Sequence, residues 1–250
     1  MTVVLALELV AVGFTAGLVG VLTSLASLIS YPALLALGLS PVVANVTNTM
    51  ALLCNGIGVA AGSRAELAGR GAVVARLGAV AAAGGTVGAV LLLVAPAATF
   101  HRVVPFLIGG ASLFLLAQPY LARRRDGSGG PDGRMSWVLR VALLAAAVYA
   151  GYFGAASAVM IFAILTAMFP AWTAQQANAV KSIVNMCGNA TAAVGFAFFG
   201  PVHWSFVAPL ALGYLLGGRV GPVVARRLPG TALRVLAAGC GLVMAVKLAL

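Results

Sequence analysis

Apolar residues run along this chain in long blocks, not at the alternating period of a strand or the stripe period of a surface helix. Marked off by proline, glycine and charge, the runs cover about 3–39, 41–62, 77–95, 103–121, 139–169, 174–200, 205–225 and 232–250. About 20 apolar residues carry one helix across the hydrocarbon core of a bilayer. Most of these runs therefore predict a single crossing. Two are too long. As one helix at 1.5 Å per residue, the run 139–169 would reach about 46 Å, against a core of about 30 Å. The run 3–39 is longer still. Both hold small residues and breakers midway: Gly13, Gly17, Gly20, Ser24, Ser27, Ser30 and Pro32 in the first, and Gly151, Gly154 and Ser157 in the second. Each is expected to be strongly tilted, broken or re-entrant. The stretch 122–136, "ARRRDGSGGPDGRMS", is polar and glycine-rich, and reads as a flexible linker between membrane units 1–121 and 137–250.

The two units resemble each other. Adding 133 to a position in the first carries Ala44-Asn45 to Ala177-Asn178, Cys54 to Cys187 and Gly62 to Gly195. It also carries Gly84-Gly85-x-x-Gly88 to Gly217-Gly218-x-x-Gly221 and Pro96 to Pro229. Duplicated halves with a site at their interface are a common plan among transporters. Arginines bear on orientation, because cytoplasmic loops are enriched in them. They gather in 63–76 (Arg64, Arg70, Arg76), 122–136 (Arg123, Arg124, Arg125, Arg134) and 226–234 (Arg226, Arg227, Arg234). These three loops share one side only if 139–169 enters and leaves by the same face, and 3–39 likewise. The expected fold is thus an all-α polytopic membrane protein with about eight hydrophobic segments in two homologous repeats. The first segment of each repeat is broken or re-entrant. Inverted repeats are preferred, and eight plain crossings in parallel repeats are the alternative.

Composition agrees with the patterning. The chain is 62% hydrophobic and 8% charged, with a mean hydropathy of +1.10, whereas soluble domains are about a quarter charged. The formal charge of +11 comes from a scarcity of acids, which are Glu8, Glu66, Asp126 and Asp132. No basic stripe with interleaved aromatics is present, so nucleic acid is not an expected partner. Cys54, Cys187 and Cys240 lie in apolar runs and form no metal spacing with His101 or His203. No nucleophile–base pair, carboxylate pair, metal constellation or cofactor motif supports an enzyme. The N-terminus lacks a basic leader region and reads as a retained membrane segment, not a signal peptide.

Polar residues inside the apolar runs carry the chemistry. Asn178, Lys181, Asn185 and Asn189 are spaced 3, 4 and 4, which puts them on one stripe of a helix. The related run carries Asn45, Asn48 and Asn55, with Asn48 at the place of Lys181. An ammonium at mid-membrane costs about 2.5–3.5 kcal/mol even on the mildest scale. The second unit has no acid in an apolar run, and Glu8 sits near the start of its own. Lys181 is thus an anion-binding candidate, with asparagine amides as neutral donors to oxyanion oxygens. The alternative for the asparagines is helix–helix adhesion. Arg219, in "GYLLGGRVGP", is a second cation, open to either substrate binding or headgroup contact. Breaks near Ser24–Ser27 and Gly154–Ser157 could expose half-helix N–H groups with a positive dipole, and Ser24 adds a hydroxyl. His203 and Trp204 suit an interfacial aromatic belt.

These residues resemble the sulfite exporter TauE/SafE family of permeases over nearly the whole chain. The likeness rests on "GFTAGLVG", "YPALLALGLSPVVANVTNT", "YAGYFGAASAVMIFAIL", "ANAVKSIVNMCGNATAAVGFAFFGPVHW" and "GYLLGGRVGPVVARRLPGTALRVLAAGCGLVMAVK". It implies a multi-pass inner-membrane transporter of small anions, with sulfite and sulfonates the best-known class. It departs from the family habit at the first break, where Thr23, Ser24, Ala26 and Ser27 stand in place of a glycine cluster. The expected activity is secondary transport, in the export direction, of a sulfur oxyanion or organosulfonate by alternating access. Lys181, Asn178, Asn185, Asn189, Asn45, Asn48, Ser24 and Arg219 are the candidate substrate-binding residues. A passive anion channel and a non-transporting scaffold subunit are the rivals. Membrane lipid is the other expected partner, no cofactor is expected, and self-association is open.

Overall fold

The computed structural model describes residues 2–96, 98–100, 102–103, 106, 137–154 and 157–225. The linker 122–136, nearly all of the run 103–121 and the run 232–250 lie outside the described residues. The described residues are helical throughout their regular structure, with no strand among them.

In chain order the helices are α1 (Val3–Thr23), α2 (Ser27–Ala36), α3 (Pro41–Gly62), the single turn α4 (Arg64–Leu67) and α5 (Gly71–Val94). They continue with α6 (Trp137–Tyr152), α7 (Ser157–Met168), α8 (Ala174–Phe199) and α9 (Trp204–Ala225). Five of them, α1, α3, α5, α8 and α9, are long and apolar enough to cross a bilayer. The two overlong runs are each interrupted in the middle, at Ser24–Ala26 and, among the described residues of the second, at Phe153 and Gly154. Their second pieces, α2 and α7, have 10 and 12 residues. At about 1.5 Å per residue they span only about half of the hydrocarbon core.

Each break follows from a left-handed residue that ends a helix. Ser24 has φ 68° and returns its N–H to the Gly20 carbonyl at 2.8 Å. Gly154 has φ 76°, and its N–H reaches back to the Tyr149 carbonyl at 3.2 Å, a Schellman-like closure. The long helices start at residues suited to starting them. Pro41 opens α3 at a position where its missing N–H costs nothing. Thr173 and Gln176 form a reciprocal capping box at the head of α8.

Glycine sets which helices touch. Gly13 and Gly17 of α1 lie directly on the α9 backbone at Leu210, Gly213, Tyr214 and Gly218, and Gly213 and Gly217 lie on Val10, Phe14 and Leu18 in return. In the other half of the chain, Gly84 and Gly88 of α5 meet Leu144, Val148 and Gly151 of α6 in the same way. The small-residue contact lets backbones approach where lipid offers no hydrophobic drive to associate them. The main packing partners are α1 with α9, α9 with α3, α5 with α6, and α5 with α8, while α3 meets α8. Two apolar cores result. One includes Leu9, Leu34, Val46, Phe196, Leu210 and Tyr214, and the other Leu77, Leu143, Ile161, Val180 and Val184.

The same contacts fix helix direction. Residue numbers rise together along α1/α9, along α3/α9 (Gly58 on Leu215 and Arg219, Gly62 on Pro222), along α5/α6 and along α5/α8. Along α3/α8 they oppose, since Gly56 meets Met186 while Val46 meets Gly200 and Thr47 accepts from the His203 N–H. Hence α1, α3 and α9 run one way and α5, α6 and α8 the other. The chain doubles back through α2 and again through α7. Helices α3 and α8 start 133 residues apart, as do α5 and α9.

This packing makes a direct prediction. A Cβ at Gly85 would collide with the Gly188 backbone, whereas one at Gly71 meets nothing. Gly85→Val should cost about 1–3 kcal/mol or more by overpacking, and Gly71→Ala should be silent. Thermal unfolding in detergent distinguishes the two outcomes.

Candidate functional site

The capping box starts α8 at Ala174, so Asn178 and Lys181 fall one and two turns in, on the face turned toward the first break. The Lys181 side chain is 2% exposed. Its ammonium donates to Ser24 Oγ at 2.6 Å and to Asn178 Oδ1 at 2.7 Å. No carboxylate among the described residues pairs with it. Glu8 is exposed on α1, remote in sequence from the break.

Asn178 does two things at once. Its oxygen accepts from Lys181, and its amide nitrogen donates to the Val21 carbonyl at 3.2 Å, one of the orphan acceptors at the end of α1. Asn45 does the same for the other break, donating to the Tyr152 carbonyl at the end of α6 at 3.1 Å. The two asparagines are 133 residues apart, and each satisfies the helix end belonging to the other half of the chain.

The starts of the half-helices are held as well. Asn48 donates to Ser27 Oγ at 3.2 Å, and its oxygen lies 2.9 Å from the Tyr214 hydroxyl, which is 2.6 Å from Ser30 Oγ. Ser157, at the head of α7, donates to Asn185 Oδ1 at 3.0 Å. An aromatic cluster packs beneath the second break, with Tyr31 edge-on to Phe153 at 5.5 Å and Phe100 at 5.8 Å from Phe153.

Between the two breaks and the α3/α8 crossing lies a cavity of about 40 Å³. Ser24, Ser27, Asn55, Lys181, Ser182, Asn185 and Asn189 give it polar walls, and Gly20, Gly56, Gly154, Met186 and others complete it. No acid lines it. The carboxamide oxygens of Asn55 and Asn189 are buried and unpartnered, that of Asn55 against Gly218. Both residues line the cavity, and neither amide nitrogen makes a hydrogen bond among the described residues. Helices α2 and α7 both begin at its wall. No group of three His, Cys, Asp or Glu among the described residues is disposed to hold a metal.

Of the residues singled out from sequence, Lys181, Asn185, Asn189 and Ser24 line the cavity. Asn178 touches Lys181 from outside it. Asn45 and Asn48 are buried, at 2% and 3% exposed, and are spent on holding the breaks. Arg219 is exposed on α9, with its backbone against Gly58 and Gly62, and takes no part in the cavity. Sequence reasoning did not select Asn55, Ser182 or Tyr214. Asn55 stood on the recognised stripe, but a lone tyrosine in "GYLLGG" carries no pattern that separates a buried hydroxyl from an interfacial one.

Residues 9–248 match the family described as Sulfite exporter TauE/SafE. Comparison with curated proteins and with solved structures finds no match to the chain.

Removing either helix-end asparagine should destabilise the protein. Asn45→Ala strands one buried carbonyl, at about 1–3 kcal/mol. Asn178→Ala should cost more, because it also removes an acceptor from a buried ammonium. A double-mutant cycle of Asn178→Ala with Lys181→Met, read by unfolding in detergent, should return a coupling above about 0.5 kcal/mol. Strict additivity would mean that the two side chains do not cooperate.

Proposed function

The chain belongs to the sulfite exporter TauE/SafE family, a family of multi-pass membrane transporters, and on that premise we propose that it exports a small sulfur oxyanion by alternating access across the inner membrane. One observation carries the reading. Lys181 is buried, only neutral oxygens serve as its partners, and it borders a cavity with amide and hydroxyl walls and no carboxylate. A charge held at mid-membrane at about 2.5–3.5 kcal/mol without a resident counter-ion is best balanced by an anion that comes and goes.

The walls suit such a passenger. Asn55 and Asn189 line the cavity with amide nitrogens that make no hydrogen bond among the described residues, and the positive ends of α2 and α7 add to the field. A cavity of about 40 Å³ has room for about three water-sized groups. That favours an anion of sulfite size over an extended organosulfonate in this conformation. An inside-negative potential drives a monovalent anion outward at about 2.3 kcal/mol per 100 mV.

For the carrier itself we propose two inverted repeats. The opposed directions of α3 and α8, their 133-residue offset and the matching offset of α5 and α9 support it. Both repeats would contribute a broken helix to one central site, and rocking about the α3/α8 crossing would expose it to either face in turn.

The purified protein should gain thermal stability from sulfite, by about 2.7 kcal/mol at a hundredfold excess over Kd. Lys181→Met should fold and lose most of that response. In proteoliposomes, trans-sulfite should accelerate labelled sulfite efflux, and a channel would give no such acceleration. Equal sulfite responses from wild type and Lys181→Met would overturn the assignment.

A further inference from the structure

Ser24 is the one described non-glycine residue with a left-handed backbone, at φ 68° and ψ 25°. The equivalent helix end at the second break uses Gly154, at φ 76°. Glycine is the residue that takes this conformation without a steric penalty, whereas a Cβ adds about 1–2 kcal/mol. The first break therefore keeps a side chain where backbone geometry alone would favour none. That side chain forms part of the cavity wall, with its oxygen 2.6 Å from Lys181 Nζ.

Counting hydrogens shows what the hydroxyl contributes. The ammonium has three N–H groups. One goes to Ser24 and one to Asn178, and the third has no partner among the described residues. Ser24 Oγ accepts from the ammonium, and its own O–H donates to no described atom. The cavity is thus offered two free hydrogens from adjacent atoms, one on Nζ and one on Oγ. The lysine also polarises the serine O–H, since an acceptor engaged by a cation becomes a stronger donor.

We infer that Ser24 is a specificity-determining residue, which converts the single charge of Lys181 into a two-point donor for two oxygens of one oxyanion. This rests on the anion-transport reading above. Two donors on separate atoms give each of two ligand oxygens its own charge-assisted hydrogen bond. A monoatomic anion has one atom to serve both, so it gains less from the serine. In this arrangement the Ser24 Oγ is held at the ammonium by their hydrogen bond of 2.6 Å.

The test compares sulfite and chloride affinities, by thermal shift and tracer competition, for wild type, Ser24→Gly, Ser24→Ala and Lys181→Met. Ser24→Gly should fold with a lowered Tm, because relief of the left-handed penalty offsets only part of the lost acceptor of the buried ammonium and the greater freedom of the unfolded chain. Its sulfite affinity should fall at least about tenfold, as expected for a lost hydrogen bond to a charged partner, and its chloride affinity less than about threefold. Ser24→Ala should lose the same preference and also show a lower Tm. Ser24→Gly with the sulfite-to-chloride preference of wild type would refute the role given to the hydroxyl, while sulfite binding lost only in Lys181→Met would leave the anion site standing. If wild type responds to neither anion, the site assignment itself falls, and this inference with it.

Discussion

A buried ammonium whose only partners among the described residues are a serine hydroxyl and an asparagine oxygen is the constraint around which this structure is organised. Neither acceptor carries charge, so the lysine is solvated but not neutralised. Each feature near it serves that partial solvation. The capping box sets where α8 starts, hence that Lys181 meets the first break and not lipid. Asn178 holds the ammonium and the end of α1 with the two ends of one carboxamide. If the break moved, the lysine would lose Ser24 and Asn178 would lose the Val21 carbonyl, so the position of the break and the solvation of the charge are coupled.

Such a site needs helices that are broken and yet closely held. The glycine contacts supply the second condition. They join α1 to α9 and α5 to α6, which binds the first helix of each half to the last long described helix of the other. The sequence halves are consequently interleaved in space. One bundle consists of α1, α3 and α9, the other of α5, α6 and α8, and they meet where α3 crosses α8 at Gly56 and Met186. The cavity sits at that crossing.

Much of this was legible in the chain and some was not, for identifiable reasons. Run length forced the two breaks, because 31 and 37 apolar residues cannot be single straight spans. Helical spacing put Asn178, Lys181, Asn185 and Asn189 on one face, and three of the four reached the cavity wall. Periodicity gives a face but not what the face meets. Asn45 and Asn48 therefore looked like ligand groups, and instead they satisfy backbone and serine atoms across the interface. Arg219 lies away from the cavity for a related reason. A cation in a glycine-rich apolar stretch looks enclosed in one dimension, but its glycines pack on α1 and α3 while its side chain points outward. The left-handed Ser24 left no signal, because serine is not a residue whose identity announces that conformation.

The site is built from similar halves but is not symmetric. Where α8 carries Lys181, α3 carries Asn48, and where the first break has Ser24, the second has Gly154. Two ammonium groups facing one small cavity would repel each other in a medium of low dielectric, and empty they would double the desolvation cost. The Asn48 position then becomes free for a structural task, bridging Ser27 and Tyr214 and so fixing the start of α2. The duplicated fold thus supplies two equivalent places, of which one is given to charge and the other to rigidity. That division leaves one buried charge at the cavity wall inside an otherwise tightly packed membrane protein.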